Sequence, residues 1–319
     1  MKKALKVTGK ILLGILILIA AFLLVMTVYN QIMLKKNIGL YETPLGQLVE
    51  VDGHNMSIYT EGEGEHTIVF LSGWGTSSPI LDFKPLYSKL SDDYKIVVVE
   101  KFGYGFSDLV DGERDIDTIL RQDREALEKS GVEAPYVLCP HSFSGYEATR
   151  WAQEYPDEVE AIVGLDMCTP HCMDVRKLKE NNTVNDFQLG LGKFIKATGI
   201  VRLFDYNESG TLTKEECAIY KEIACHKNVN PTELNEGDTE KLIALNDERN
   251  AAPLPTVPVM MYVSNETSND EYRIGGMQAM VDASSDGKLI KLDCGHYVHH
   301  FESERISRDM KNMIESLNG

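Results

Sequence analysis

The chain has 319 residues, enough for one large domain carrying an insertion. Its composition, 43% hydrophobic and 25% charged, is that of a globular protein rather than a disordered or fibrous one. The first 36 residues hold six of the 32 basic residues and none of the 49 acidic ones, so the remainder stands at −23. So acidic a body is repelled by nucleic acid and by anionic lipid headgroups, which removes nucleic acid from the list of partners.

Lys2, Lys3, Lys6 and Lys10 precede an uncharged run that starts at Ile11 and passes Asn30. As a helix, Ile11 to Tyr29 spans about 28 Å, close to the thickness of a bilayer core. The expectation is an uncleaved transmembrane anchor over residues 1–36. The alternative is a secretory signal removed from a secreted protein, but such signals have a shorter apolar region and a small-x-small site after it. The lysines place the N-terminus in the cytoplasm and the body outside.

Residues 37–47 read as a short linker. Leu48–Val51 and Met56–Tyr59 form a hairpin around the Asp52-Gly53 turn. Thr67–Leu71 is a continuous apolar strand of the kind buried on both faces of a parallel sheet. It ends in Ser72-Gly73-Trp74-Gly75. A helix is expected over residues 80–90, then a second buried strand, Lys95–Glu100, and the loop Lys101-Phe102-Gly103-Tyr104-Gly105-Phe106-Ser107-Asp108. That loop lacks the third glycine and the helix onset of a nucleotide site. Ile116, Ile119, Leu120 and Leu127 give residues 115–130 a helical face.

The stretch YVLCPHSFSGYEATR, Tyr136 to Arg150, then places Ser142 between an apolar strand and a helix whose apolar positions are Ala148, Trp151, Ala152 and Tyr155. A strand, a sharp turn and a helix lift a serine hydroxyl clear of the sheet. They also aim the following N–H groups at the space where an oxyanion forms. Taken alone, the same letters suit an ordinary helix N-cap at Ser142 or Ser144. Ala161–Leu165 is the next strand and ends at Asp166. Residues 170–252 are polar and helical, closed by Pro253, Pro255 and Pro258. Val259–Val263 and Leu289–Leu292 resume the strands, Asp293-Cys294-Gly295-His296 follows, and residues 301–317 are a closing helix. Strands that alternate with helices predict a mostly parallel sheet with right-handed crossovers.

These motifs, in this order, resemble the α/β-hydrolase family over about residues 48–317. The elbow is similar to the family's G-x-S-x-G and departs from it at Pro140 and Ser144. The resemblance implies an α/β sheet flanked by helices, its core split into residues 37–169 and 253–319 by a helical cap over residues 170–252. It implies Ser142 as nucleophile and His296 as base, with His299 and His300 as competitors if the last strand is misplaced. It implies backbone donors to the oxyanion at Trp74 and Phe143, with Ser72 standing where the family has histidine. It implies Asp166, at the end of its strand, as the acid, with Glu266, after the following strand, as the alternative. A serine at the elbow also differs from the aspartate of the family's dehalogenases and epoxide hydrolases.

A neutral oxygen nucleophile, a base and an oxyanion site together define acyl transfer to water, by hydrolysis of an ester, lactone, thioester or amide. The expected substrate is a small-molecule or short-peptide acyl compound, and no cofactor is implied. Two rivals remain: a proline-iminopeptidase-like peptidase whose cap acid binds a substrate amine, and a catalytically silent binding protein on the same fold. Asp205, Asn207, Ser209, Thr211 and Glu216 fit the spacing of a calcium loop, although Thr213 and Glu216 equally form a capping box. Cys168, His171 and Cys172 do not have a standard zinc spacing. Of the six cysteines, Cys139 reads as a buried small hydrophobe, and disulfides are possible among the others.

Overall fold

The structure is a computed structural model that describes residues 2–170, 182–237 and 252–317. His171 and Cys172 lie outside the described residues. Helix α1, Lys2–Lys36, is followed by the short α2, Ile38–Glu42, and then by β1, Gln47–Val51, and β2, His54–Glu61. The expected linker is thus partly helical, because Leu40 and Tyr41 find apolar neighbours to pack against. Next come β3 (Thr67–Leu71), α3 (Pro79–Tyr87), β4 (Lys95–Glu100), α4 (Ile116–Lys129), β5 (Tyr136–Pro140), α5 (Gly145–Glu154) and β6 (Val159–Leu165). Between β6 and the next strand lie α6 (Asn182–Thr198), α7 (Lys214–Lys227) and α8 (Pro231–Glu236). The chain ends with β7 (Val259–Val263), α9 (Asn265–Ser268), α10 (Glu271–Ala283), β8 (Gly287–Lys291), α11 (Val298–Phe301) and α12 (Ser303–Leu317).

The eight strands form one sheet in the order β1-β2-β4-β3-β5-β6-β7-β8. The Asp-Gly hairpin pairs β1 with β2, and β2 joins β4 antiparallel. From β4 to β8 every pairing is parallel. Alternate side chains of each strand enter opposite layers. Ile68, Phe70, Ile96 and Val98 meet Phe83 and Leu86 of α3 and Met310 of α12. Val69, Leu71, Val97 and Val99 meet Leu120 and Leu127 of α4 and Trp151 of α5. Burying each such aliphatic side chain is worth about 1.5–3 kcal/mol, which explains why the central strands are apolar at every position.

The parallel strands point their C-terminal ends to one edge, where open α/β sheets hold their ligands. Helices α7 and α8 lie over this edge. Asn230 Nδ2 donates to the Gly103 carbonyl at 2.8 Å, Trp74 Nε1 donates to the Glu233 carbonyl at 2.8 Å, and Thr232 Oγ1 donates to the Val110 carbonyl at 2.9 Å. Deeper in this contact the Lys101 ammonium lies 2.6 Å from Glu147 of α5 and 2.6 Å from Glu236 of α8, and all three side chains are almost wholly buried. A charge so buried is tolerated only when it is paired. The two carboxylates overcome the cost of burial and hold the lysine pKa above its usual value.

Gly145 opens α5 where the helix passes closest to the loop after β6, and a Cβ there would collide with the Cys168 carbonyl and crowd Met167. Gly145→Ala is therefore expected to cost about 2 kcal/mol or more, through overpacking that the backbone cannot relieve. Gly190→Ala, in α6 where a Cβ meets nothing, is expected to leave stability unchanged or slightly raised. Thermal unfolding of the two variants beside the parent checks the contrast.

Candidate active site

Ser142 follows β5 after a single residue, His141, and takes φ +53°, a left-handed conformation that a residue with a Cβ adopts only under constraint. The constraint is visible around it. His141 N–H donates to the Leu71 carbonyl at 2.9 Å, Ser144 N–H donates to the His141 carbonyl at 3.2 Å, and Cys168 N–H donates to the Ser142 carbonyl at 2.6 Å. Ser144 is buried, and its hydroxyl donates towards the Leu71 carbonyl at 2.6 Å. The departure at that position thus adds a hydrogen bond between neighbouring strand ends. Pro140 is the last residue of β5, and the pairing continues for one residue beyond it, through His141 to Leu71 and Leu165.

Ser142 Oγ lies 2.8 Å from His296 Nε2, and His296 Nδ1 lies 2.5 Å from Asp166 Oδ2. The three residues come from the loops after β5, β8 and β6, all at the C-terminal edge. Asp166 is fully buried and is held by Ser264 as well. The Ser264 N–H donates at 2.9 Å, the Ser264 hydroxyl at 2.7 Å and the Thr267 hydroxyl at 3.1 Å. Burial alone would raise the Asp166 pKa. The hydrogen bonds from His296 and Ser264 outweigh it and hold the carboxyl below its ordinary range. Glu266 is exposed in the first turn of α9, which Ser264 caps through the Thr267 N–H, so the contact with His296 falls to Asp166.

Gly73 packs directly on the serine: a Cβ there would stand 2.8 Å from Ser142 Cβ. Trp74 follows it, its indole half-exposed and tied to the Glu233 carbonyl. Phe143 follows Ser142 in the first turn of a short helix, where backbone N–H groups have no intrahelical partner. Ser72 is buried at the end of β3. The predicted donors therefore flank the serine on two sides.

Some participants carried no sequence signal. His141 is buried and its ring packs against those of His296, Tyr297 and His299, with centroids 4.7, 4.8 and 4.9 Å away. Burial, then the neighbouring imidazoles, pushes its pKa well below the ordinary value, so it is a neutral ring. His299 and His300 face Asp82 of α3, at 2.9 and 3.1 Å, rather than Ser142. Their ligand atoms and that of Asp82 lie within 4.8 Å of one another, close enough to hold a metal ion; each imidazole spends its Nε2 on Asp82, and the Nδ1 of each is buried without a hydrogen-bond partner. Burial acts against the Asp82 charge and the two imidazoles outweigh it. The cluster ties α3 to the turn that follows His296.

The predicted calcium loop spends its oxygens locally. Asn207 Oδ1 accepts from Leu212 N–H at 2.8 Å, Ser209 Oγ accepts from Thr211 N–H at 3.3 Å, and Asp205 Oδ1 accepts from Asn207 N–H at 2.9 Å. Glu216 closes the capping box with Thr213 and pairs with Lys84. The five described cysteines, Cys139, Cys168, Cys217, Cys225 and Cys294, are free thiols, and Cys139 is buried.

No family model matches the sequence. An uncharacterised protein of Bacillus subtilis (strain 168), YbdG, is 40% identical over 228 residues, which is 68% of this chain and 69% of that protein. A pimeloyl-[acyl-carrier protein] methyl ester esterase of Shewanella woodyi is 32% identical over 113 residues, 35% of this chain and 39% of the esterase. The structure of a putative epoxide hydrolase from Pseudomonas aeruginosa superposes with a TM-score of 0.66 at 15% identity, over 85% of this chain and 96% of that one. The chain belongs to the α/β-hydrolase family.

Glu233, on α8 beside the Trp74 loop, is buried, and burial lifts its pKa to about 7 against the N–H groups that hold the carboxylate. A glutamate whose folded pKa lies above its usual 4.5 contributes its stability fully below pH 4.5 and loses it as pH rises towards 7. Glu233→Gln is expected to match the parent near pH 4.5 and to gain on it by on the order of 2 kcal/mol above pH 7. Chemical denaturation at each pH reads the difference; a flat difference across the range would exclude titration of Glu233 near neutrality.

Proposed function

We propose that this protein is a membrane-tethered serine hydrolase that cleaves an ester, lactone or amide through an acyl-enzyme. One observation carries the reading: the unbroken line from Ser142 Oγ through both nitrogens of His296 to the buried Asp166 carboxylate, at 2.8 and 2.5 Å. In this reading His296 Nε2 takes the hydroxyl proton as Ser142 Oγ bonds to the substrate carbonyl carbon. Asp166 fixes the Nδ1–H tautomer and offsets the imidazolium charge. The N–H groups of Trp74 and Phe143 receive the developing oxyanion. Collapse expels the alcohol or amine, which takes the proton from His296. Water, deprotonated by the same imidazole, then releases the acid and restores Ser142. No cofactor enters the cycle.

Residues 170–252 act as the cap that shapes the acyl pocket, between core segments 37–169 and 253–319, for a small-molecule or short-peptide acyl substrate. A carboxylic ester is favoured over an aminoacyl substrate. A peptidase of the amine-binding kind needs a free cap carboxylate, yet Glu236 is paired with Lys101 and burial holds the Glu233 pKa near 7. Similarity to an esterase supports the same choice.

Helix α1 is the tether, with the body on the extracytoplasmic side. It is the helix among the described residues that is long and apolar enough to cross a membrane. Its last turns pack on the cap, where Leu34 meets Ile195, Val201 and Ala224 and the buried Asn30 accepts from Arg202. Cleavage of α1 as a signal would strip that contact, which favours an uncleaved anchor.

The test is labelling of the full chain in detergent or lipid with a fluorophosphonate probe, beside Ser142→Ala, His296→Ala and Asp166→Asn. Labelling is expected to vanish in the first, and to fall about 10³-fold or more in rate in the second and third, since the base and its orienting acid work as a unit. A folded parent that takes no label would sink the hydrolase mechanism and leave the silent binding protein in its place.

A further inference from the structure

Outside α1, twelve large hydrophobic side chains are exposed among the described residues, and five of them, Phe187, Leu191, Phe194, Leu203 and Phe204, lie within residues 187–204. That cluster is more than the scattered exposure any soluble surface shows. Phe187, Leu191 and Phe194 stand four and three residues apart, so they share one stripe of α6. The opposite side of α6 is used inward, where a Cβ on Gly192 would crowd Val229 and Lys196 Nζ donates to the His226 carbonyl at 2.9 Å; Ile195, at the edge of the stripe, packs with Val201, Ala224 and Leu34. The stretch from 187 to 204 also carries Lys193, Lys196 and Arg202 and no acidic residue, in a body that is otherwise strongly acidic.

This face adjoins α1. Asn30 is buried against the cap, where its side-chain oxygen accepts from Arg202 Nε at 2.6 Å, and Gly199 leaves room for its Cβ. Arg202 in turn pairs with Glu222 of α7 at 2.6 Å, and Glu222 accepts from Asn37 Nδ2 at 2.7 Å. The end of α1 is therefore fixed to the cap by a buried polar network. The length of α1 sets the level of this contact in a bilayer. From Lys10 to Asn30 a helix rises about 30 Å, the whole thickness of a hydrocarbon core. If α1 spans the bilayer, Asn30 stands at the far interface, and the cap residues packed around it stand there too.

We propose that the outer face of the cap, formed by the exposed stripe of α6 and by Leu203 and Phe204, is a bilayer-docking surface whose side chains insert at the headgroup–acyl boundary. The claim rests on the anchor reading of α1. The occupant is lipid rather than protein because the face is continuous with the membrane-facing helix. The insertion is apolar rather than electrostatic, since the body as a whole repels anionic headgroups.

The full chain is reconstituted in vesicles of phosphatidylcholine brominated both near the headgroup end and near the methyl end of its acyl chains, so that side chains at the boundary and at the centre of the bilayer each meet a quencher. Single tryptophans are introduced as Phe194→Trp, Phe204→Trp, Phe22→Trp within the span, and Phe301→Trp on the core surface, and each is read against parent Trp74 and Trp151. Quenching at 22, 194 and 204 by about twofold over unbrominated vesicles, with none at 301, is the expected result. Quenching at 22 without quenching at 194 or 204 would overturn the docking surface and leave the anchor intact. Blue-shifted but unquenched emission at 194 and 204 would overturn it in favour of a second copy of the chain. No quenching at 22 would remove the anchor reading and this surface with it.

Discussion

The close approach of three chain segments around Ser142 is the constraint on which the rest of the site depends. The serine backbone is left-handed, and nothing about a serine favours that conformation. It persists because Gly73 on one side and Gly145 on the other leave no space for a relaxed turn, and because the Cys168 N–H holds the Ser142 carbonyl. Both glycines are small because neighbouring backbone occupies the volume a Cβ would need. The large β-sheet core fixes those neighbours by register: β3, β5 and β6 are adjacent and parallel, so their C-terminal ends arrive together. Strain at one residue is thus supported by side-chain burial across the whole sheet.

Charge is arranged by the same logic. Asp166 is as buried as a core valine, yet three neighbouring donors besides the imidazole surround it, so its pKa is held below the ordinary value where burial alone would raise it. A second buried carboxylate, Asp82, binds His299 and His300 and so anchors the turn that follows His296. His141 shows the converse. It is buried among imidazoles, has no carboxylate partner and is driven neutral. The imidazole of His296 therefore sits between one buried carboxylate, 2.5 Å from its Nδ1, and one neutral ring, 4.7 Å away between centroids.

Much of the sheet was legible because its strands announce themselves. Val259–Val263 is apolar at every position, as a strand covered on both faces must be, and the Asp-Gly turn set the first hairpin. The sequence ranks Asp166 ahead of Glu266 on family resemblance alone. Both follow adjacent strands, and only the register settles which carboxylate points along the edge: Asp166 N–H pairs with the Tyr262 carbonyl, and Ser264 then turns the chain into α9 and carries Glu266 to the surface. The Lys101–Glu147–Glu236 cluster was equally unreadable. Its members are up to 135 residues apart, and each looks like an ordinary surface charge until the fold closes over it. Asn30 looked like the polar end of an apolar run, and the partner that uses it lies 172 residues away.

Those last two clusters constrain the helices between β6 and β7 from both ends. On the core side Glu236 shares the Lys101 ammonium, and on the α1 side Arg202 and Glu222 form a buried pair capped by Asn30 and Asn37. Separating either pair without replacing its partner leaves an uncompensated buried charge, which costs about 3–5 kcal/mol. Moving these helices away as a rigid body would part Glu236 from Lys101, which keeps Glu147, and would strip Asn30 and Asn37 from Arg202 and Glu222, which stay paired with each other. The same contacts transmit position: Asn30 and Asn37 tie α1 to the Arg202–Glu222 pair, and the Glu233 carbonyl ties α8 to the Trp74 loop that flanks the serine.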